Sequence, residues 1–170
     1  MTSRDCELFF CPENEPFPNN PRLPLILYRG LDSPREAQGI EKLFSGNRWK
    51  PAWRYGLFPY HHYHSTAHQA LGCYSGEGRI QFGGPGRRII DIVPGIVALI
   101  PAGVAHCNVE STRSFSCVGA YPPGRQWDLL RDLPGELETA RQNIPQVPLP
   151  EMDPVLGEGG TGGSRRSDSR

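Results

Sequence analysis

Four of the five histidines in this 170-residue chain, His61, His62, His64 and His68, fall within eight residues; the fifth, His106, follows about forty residues later. Imidazole is the commonest biological metal ligand and a versatile proton carrier, so such a cluster is the first place to look for chemistry. Aromatic and β-branched neighbours favour extended structure around it. Along a strand, residues two apart share a face, so His62 and His64 project together while His61 and Tyr63 point the other way. Two imidazoles on one face, joined by His106 from a later strand, would form an open metal site of the catalytic kind.

The elements that must position these residues follow from the local pattern. Leu25–Tyr28 reads as a first strand. Asp32-Ser33-Pro34 with Glu36 signals a helix start, Ala37, Ile40, Leu43 and Phe44 have helical spacing, and Gly46-Asn47 ends the helix. Trp49–Tyr55 leads into the histidines. Gln69–Ser75 is a strand with Gln69, Leu71 and Cys73 on one face. Arg79–Phe82 and Arg88–Val93 flank the Gly83-Gly84-Pro85-Gly86 turn. No helix pattern follows that turn, so a phosphate-binding loop is not expected. Ile96–Ile100 is continuously apolar, as in a strand buried on both faces. Pro101-Ala102-Gly103 then redirects the chain so that His106 faces the cavity, and Ser114–Tyr121 is the last clear strand. Asp128–Leu133 and Glu136–Asn143 are helix-compatible.

Two spacings carry a resemblance. Gly56, five residues, His62-Tyr63-His64, four residues, Gln69, six residues and Gly76 resemble the first cupin motif. Gly95, five residues, Pro101-Ala102-Gly103, two residues and His106 resemble the second. The wording around them, His62-Tyr-His-Ser-Thr-Ala-His68 and Gly119-Ala-Tyr-Pro-Pro-Gly-Arg-Gln-Trp127, is similar to that of the small YjlB-type single-domain cupins. The resemblance covers roughly residues 20–158. The cupin pattern has Glu where this chain has Gln69, and Asn where it has Glu110.

The resemblance implies an all-β cupin jelly-roll, a double-stranded β-barrel with a few short flanking helices. It also implies one divalent transition metal on His62, His64 and His106, with Gln69 either ligating through its amide oxygen or standing beside the ion. Fe(II) is favoured, with Ni, Mn, Cu or Zn as alternatives. The expected function is that of a metal-dependent oxidoreductase of the dioxygenase type acting on a small enolic or phenolic molecule. A non-redox isomerase, cyclase or lyase and a non-catalytic small-molecule-binding cupin are the other readings. Gln69 and Tyr60 are the candidate catalytic residues, and Phe58, Tyr60, Leu71 and Cys73 the candidate substrate pocket; as plain core, the two aromatics would need no ligand. His61 and His68 are assigned to hydrogen bonding or to solvent.

Composition sets the outer bounds. The length suits one domain, and Gly 20 with Pro 18 suits short strands joined by tight turns. Acidic and basic residues balance at 18 each, so no charge excess points to nucleic acid or membrane. No stretch approaches the roughly 20 apolar residues of a membrane span. The N-terminus lacks a signal-peptide core, and five irregularly spaced cysteines read as reduced thiols, so the expected location is cytoplasmic. The expected partner is a small-molecule substrate, with a homodimer left open. Residues 1–24, rich in Pro and Asn, form an extended arm. The single domain spans 25–158 and ends in a helical and extended segment; the Gly/Ser/Arg-rich tail 159–170 is expected to be disordered.

Overall fold

The structure is a computed structural model and describes residues 6–31 and 36–159. The helix-opening signal at Asp32-Ser33-Pro34 and all but the first residue of the expected tail lie outside the described residues. Nine strands form two antiparallel sheets among the described residues. In chain order they are β1 Cys6–Phe9, β2 Leu25–Tyr28, β3 Lys50–Tyr55, β4 Gln69–Ser75, β5 Gly78–Phe82, β6 Ile89–Ile92, β7 Val97–Ile100, β8 His106–Ser111 and β9 Ser116–Tyr121. Two short helices, α1 Ala37–Gly46 and α2 Glu136–Asn143, flank them. The large sheet runs β1-β2-β7-β4-β9-β3 and the small one β6-β5-β8.

Alternation along the strands divides the apolar residues into two layers. One face of the large sheet presents Leu25 and Leu27 from β2, Leu71 and Cys73 from β4, Ala98 and Ile100 from β7, and Cys117 from β9. These pack against Ile80 and Phe82 of β5 and Ile90 and Ile92 of β6. The opposite face, with Ile26, Tyr28, Ala70, Leu99 and Val118, is covered by Ile40 and Phe44 of α1 and by Trp49. Burying both faces explains why β2 and β7 are apolar at every position rather than alternating. Each such side chain contributes roughly 1.5–3 kcal/mol when fully buried.

Two segments differ from the sequence reading. The arm's prolines begin only at Pro12, and ahead of them Cys6–Phe9 pairs with Leu25–Tyr28 as an edge strand. Asp128–Leu133 is not a helix: Leu130 instead bridges Tyr63 through two backbone hydrogen bonds of 2.9 and 3.0 Å. Long-range pairing overrides the weak local helical pattern there, and α2 begins only after Pro134-Gly135.

Two glycines permit close approaches near the histidines. Gly103 has φ 93° and its absent Cβ would meet the Asn19 carbonyl oxygen at 2.5 Å, so the redirecting turn before β8 requires glycine. A Cβ on Gly119 would stand 2.1 Å from the Trp53 ring, which lies close against β9 at that point.

Candidate metal centre

The site sits at one end of the gap between the sheets. His106 opens β8 on the small sheet, and His62 forms an isolated antiparallel bridge with it, each backbone N–H donating to the other's carbonyl at 3.1 and 2.9 Å. His62 and His64 thus lie not in a regular strand but in a short bridging segment. Gly103 N–H donates to the His64 carbonyl at 2.7 Å, which ties the two motifs together a second time. The Asn19 side chain of the arm accepts from Ala105 N–H at 3.0 Å and steadies the start of β8.

The three imidazoles expected to converge do so. Ring centroids are 4.2 Å apart for His62 and His106, 6.0 Å for His64 and His106, and 6.1 Å for His62 and His64. Each ring is anchored through Nδ1 to a backbone carbonyl: His62 to Tyr60 at 2.9 Å, His106 to Val104 at 3.1 Å, and His64 to Asp128. Donation from Nδ1 fixes the tautomer and leaves the Nε2 lone pair free, the usual orientation of a metal-ligating histidine. His106 Nε2 is buried without a hydrogen-bond partner, and so is Gln69 Oε1. As the side chains stand, no set of three or more His, Cys, Asp or Glu among the described residues forms a ready ion cage.

Burial sets the protonation of the cluster. His62, His64 and His106 are 2%, 8% and 0% exposed. Desolvation dominates in each case and disfavours the imidazolium. It holds His62 down to about 4, with the Tyr60 carbonyl opposing and His64, His61 and Arg131 adding to the fall. His106 is driven well below its ordinary value by burial and then by its two neighbours. For His64 burial also wins, although the Asp128 carbonyl, the Asp128 charge and the nearby Gln69 amide favour protonation. Near neutral pH all three rings are therefore neutral and able to donate an electron pair.

The remaining candidates are distributed around this centre. Phe58 meets His62 edge-on at 5.1 Å and stacks on Tyr60 at 5.0 Å. Gln69, first in β4, lies beside His64. Leu71 and Cys73, one and two steps further along the same face, are fully buried in the apolar core. His61 turns away and packs on Phe17 at 5.5 Å, and His68 accepts the Ala102 N–H at 2.9 Å. Cys11, Cys73, Cys107 and Cys117 are buried free thiols.

Several contributors escaped the sequence reading. The Asp128 carboxylate accepts hydrogen bonds from the backbone N–H and hydroxyl of both Ser65 and Thr66, clipping the chain immediately after His64. Tyr121 stacks on Trp127 at 4.0 Å, accepts from Trp53 Nε1–H at 3.0 Å, and meets the His64 ring edge-on at 5.8 Å. Arg131 lies 3.7 Å over the Tyr60 ring. The Ser65-Thr66 pair, rich in hydroxyl donors beside a histidine, is the one local hint that a carboxylate must arrive. Removing it in Asp128→Ala should free the 64–66 segment; for an ion held by the three candidate imidazoles, retention should weaken by about tenfold, the lower end of effects from such supporting residues. Competition with a chromophoric chelator measures this, and unchanged affinity would show the clip to be dispensable.

No family model matches the sequence. A protein of Bacillus subtilis (strain 168), described as uncharacterized protein YjlB, is 36% identical over 155 residues, which cover 91% of this chain and 93% of that protein. Identity of that level across nearly the whole of both chains shows common descent: this chain belongs to the YjlB family.

Proposed function

We propose that the protein is a cupin-type metal enzyme in which His62, His64 and His106 hold one divalent transition metal, Fe(II) by preference. The observation that carries this reading is the triple Nδ1 anchoring, which leaves three neutral imidazoles with available Nε2 atoms and an orphaned buried Nε2 on His106. Two imidazoles on one ion have ring centroids roughly 5 Å apart. The separations of 4.2 to 6.1 Å bracket that figure, so small side-chain rotations would complete a cage. The two antiparallel sheets and the two-motif spacing support the jelly-roll reading of the fold.

The ion would supply open coordination positions for an anionic substrate and for O2. The chain's own residues then do the rest. Phe58 and Tyr60 form a flat aromatic wall beside His62 suited to a small planar molecule. Arg131 over Tyr60 adds positive charge at that wall and favours an enolate or phenolate over the neutral form. Gln69, beside His64 with its buried Oε1 unpartnered, would offer an uncharged amide to a substrate oxygen and leave the ion's charge uncancelled. A dioxygenase acting on an enolic or phenolic substrate is the reaction class that fits this set. Oxygen consumption by the Fe(II)-loaded protein against a panel of such substrates tests it; consumption equal to that of a His106 variant across the panel would reject the assignment.

Replacing Gln69 by Glu should raise metal affinity about tenfold, because a carboxylate is the stronger oxygen donor. The same change should weaken binding of the anionic substrate, since the ion's charge is partly cancelled. Parallel titrations of metal and substrate decide the point. Unchanged values for both, or tighter substrate binding in the Glu variant, would show that the charge at this position does not matter in the way proposed.

A further inference from the structure

His68 leaves the inner face occupied by Gln69 and turns outward into a separate cavity of about 410 Å³, walled by Arg48, Pro122, Arg125, Pro148 and Glu151 among others. That volume lies within the roughly 300–1,000 Å³ of small-molecule pockets. The ring is only 3% exposed. Its Nδ1 accepts the Ala102 N–H at 2.9 Å, which leaves the ring proton on Nε2. Nε2 is buried and has no hydrogen-bond partner. The Pro148 carbonyl lies near enough to influence the ring but does not complete such a bond. A buried donor left unmade is costly, and a native structure keeps one for a reason.

The charges around this donor are uneven. Arg48 is engaged by Glu151 across the rim. Arg125 acts electrostatically on His68 and is paired with none of the described carboxylates. One uncompensated guanidinium and one buried N–H donor therefore share a cavity whose remaining walls are the Arg48–Glu151 pair and an apolar run that includes Pro122, Pro148 and Leu149. We infer that this cavity is a second binding site, for a small carboxylate with an apolar body, which His68 Nε2–H and Arg125 receive together. A single free positive charge suits a monoanion, and the proline walls suit a flat hydrocarbon body rather than a hydrated phosphate.

Titration of the full-length protein with benzoate, followed through the histidine ring ¹⁵N resonances, tests the site, with benzamide and inorganic phosphate as comparison arms. Benzoate should shift the His68 Nε2 signal saturably and bind about tenfold more tightly than either comparison compound. Arg125→Gln should weaken benzoate several-fold with metal content unchanged, while His106→Gln, which strips the metal centre, should leave benzoate binding intact. Equal binding of benzamide or phosphate would overturn the carboxylate assignment. No saturable His68 shift, or loss of binding in His106→Gln but not Arg125→Gln, would overturn the site itself.

Discussion

His106→Gln should reduce bound divalent metal from about one equivalent per chain to less than about a tenth, with the fold retained. His106 is fully buried, it is hydrogen-bonded to His62 through both backbone groups, and its ring is the nearest neighbour of the His62 ring in the cluster. In the proposed centre, losing one of three imidazoles would leave only two nitrogen donors, and ligand loss commonly costs orders of magnitude in affinity. Glutamine keeps most of the side-chain volume, so the cavity penalty of roughly 2–5 kcal/mol expected for large-to-alanine changes is avoided. His62→Ala should behave similarly, at the more accessible edge beside Phe58 and Tyr60. Elemental analysis after dialysis, with circular dichroism as the folding control, gives the answer; full metal in both variants would show the ligand assignment to be wrong.

The metal-free protein should lose stability steeply as pH falls from about 6.5 to about 4. His62 and His68 are both held down to about 4 by burial, against about 6.5 in an unfolded chain. Their folded values are depressed, so between those limits the unfolded chain binds protons that the folded chain refuses, and unfolding is favoured as pH drops. The contribution of each group is fully present above about 6.5 and is lost as pH falls toward about 4. At 1.36 kcal/mol per unit, each histidine accounts for about 3 kcal/mol across the window. His64 and His106 are shifted in the same direction and deepen the effect. Urea unfolding at several pH values measures it, and the pair His62→Gln with His68→Gln should lower the slope by the share of these two rings, leaving that of His64 and His106. A flat stability between pH 6.5 and 4 would mean that these rings are not buried as neutral imidazoles.

The features legible in the chain are the local ones. The spacing of His62 and His64, and the Pro101-Ala102-Gly103 turn three residues before His106, single out the residues that the fold does bring together. The apolar runs at Leu25–Tyr28 and Val97–Ile100 mark buried strands for the same reason: their pattern is visible within a few residues. Asp128 is not legible, because its partners Ser65 and Thr66 lie 63 and 62 residues away and no local pattern announces a contact of that span. The helical appearance of Asp128–Leu133 misleads for a related cause, since the pairing of Leu130 with Tyr63 outweighs a weak propensity. The edge strand Cys6–Phe9 is hidden by the prolines that come after it. His68 falls between: its outward direction follows from strand alternation with Gln69, but its bond to Ala102 depends on the turn's tertiary position.

Whether one metal ion sits on three particular imidazoles can be seen directly. Anomalous diffraction at the absorption edge of the bound metal, recorded from crystals of the purified protein, locates the ion. A single strong peak is expected within about 2.0–2.2 Å of Nε2 of His62, His64 and His106. A peak elsewhere on the chain, or metal-loaded protein whose peak contacts fewer than two of these rings, would contradict the proposed centre.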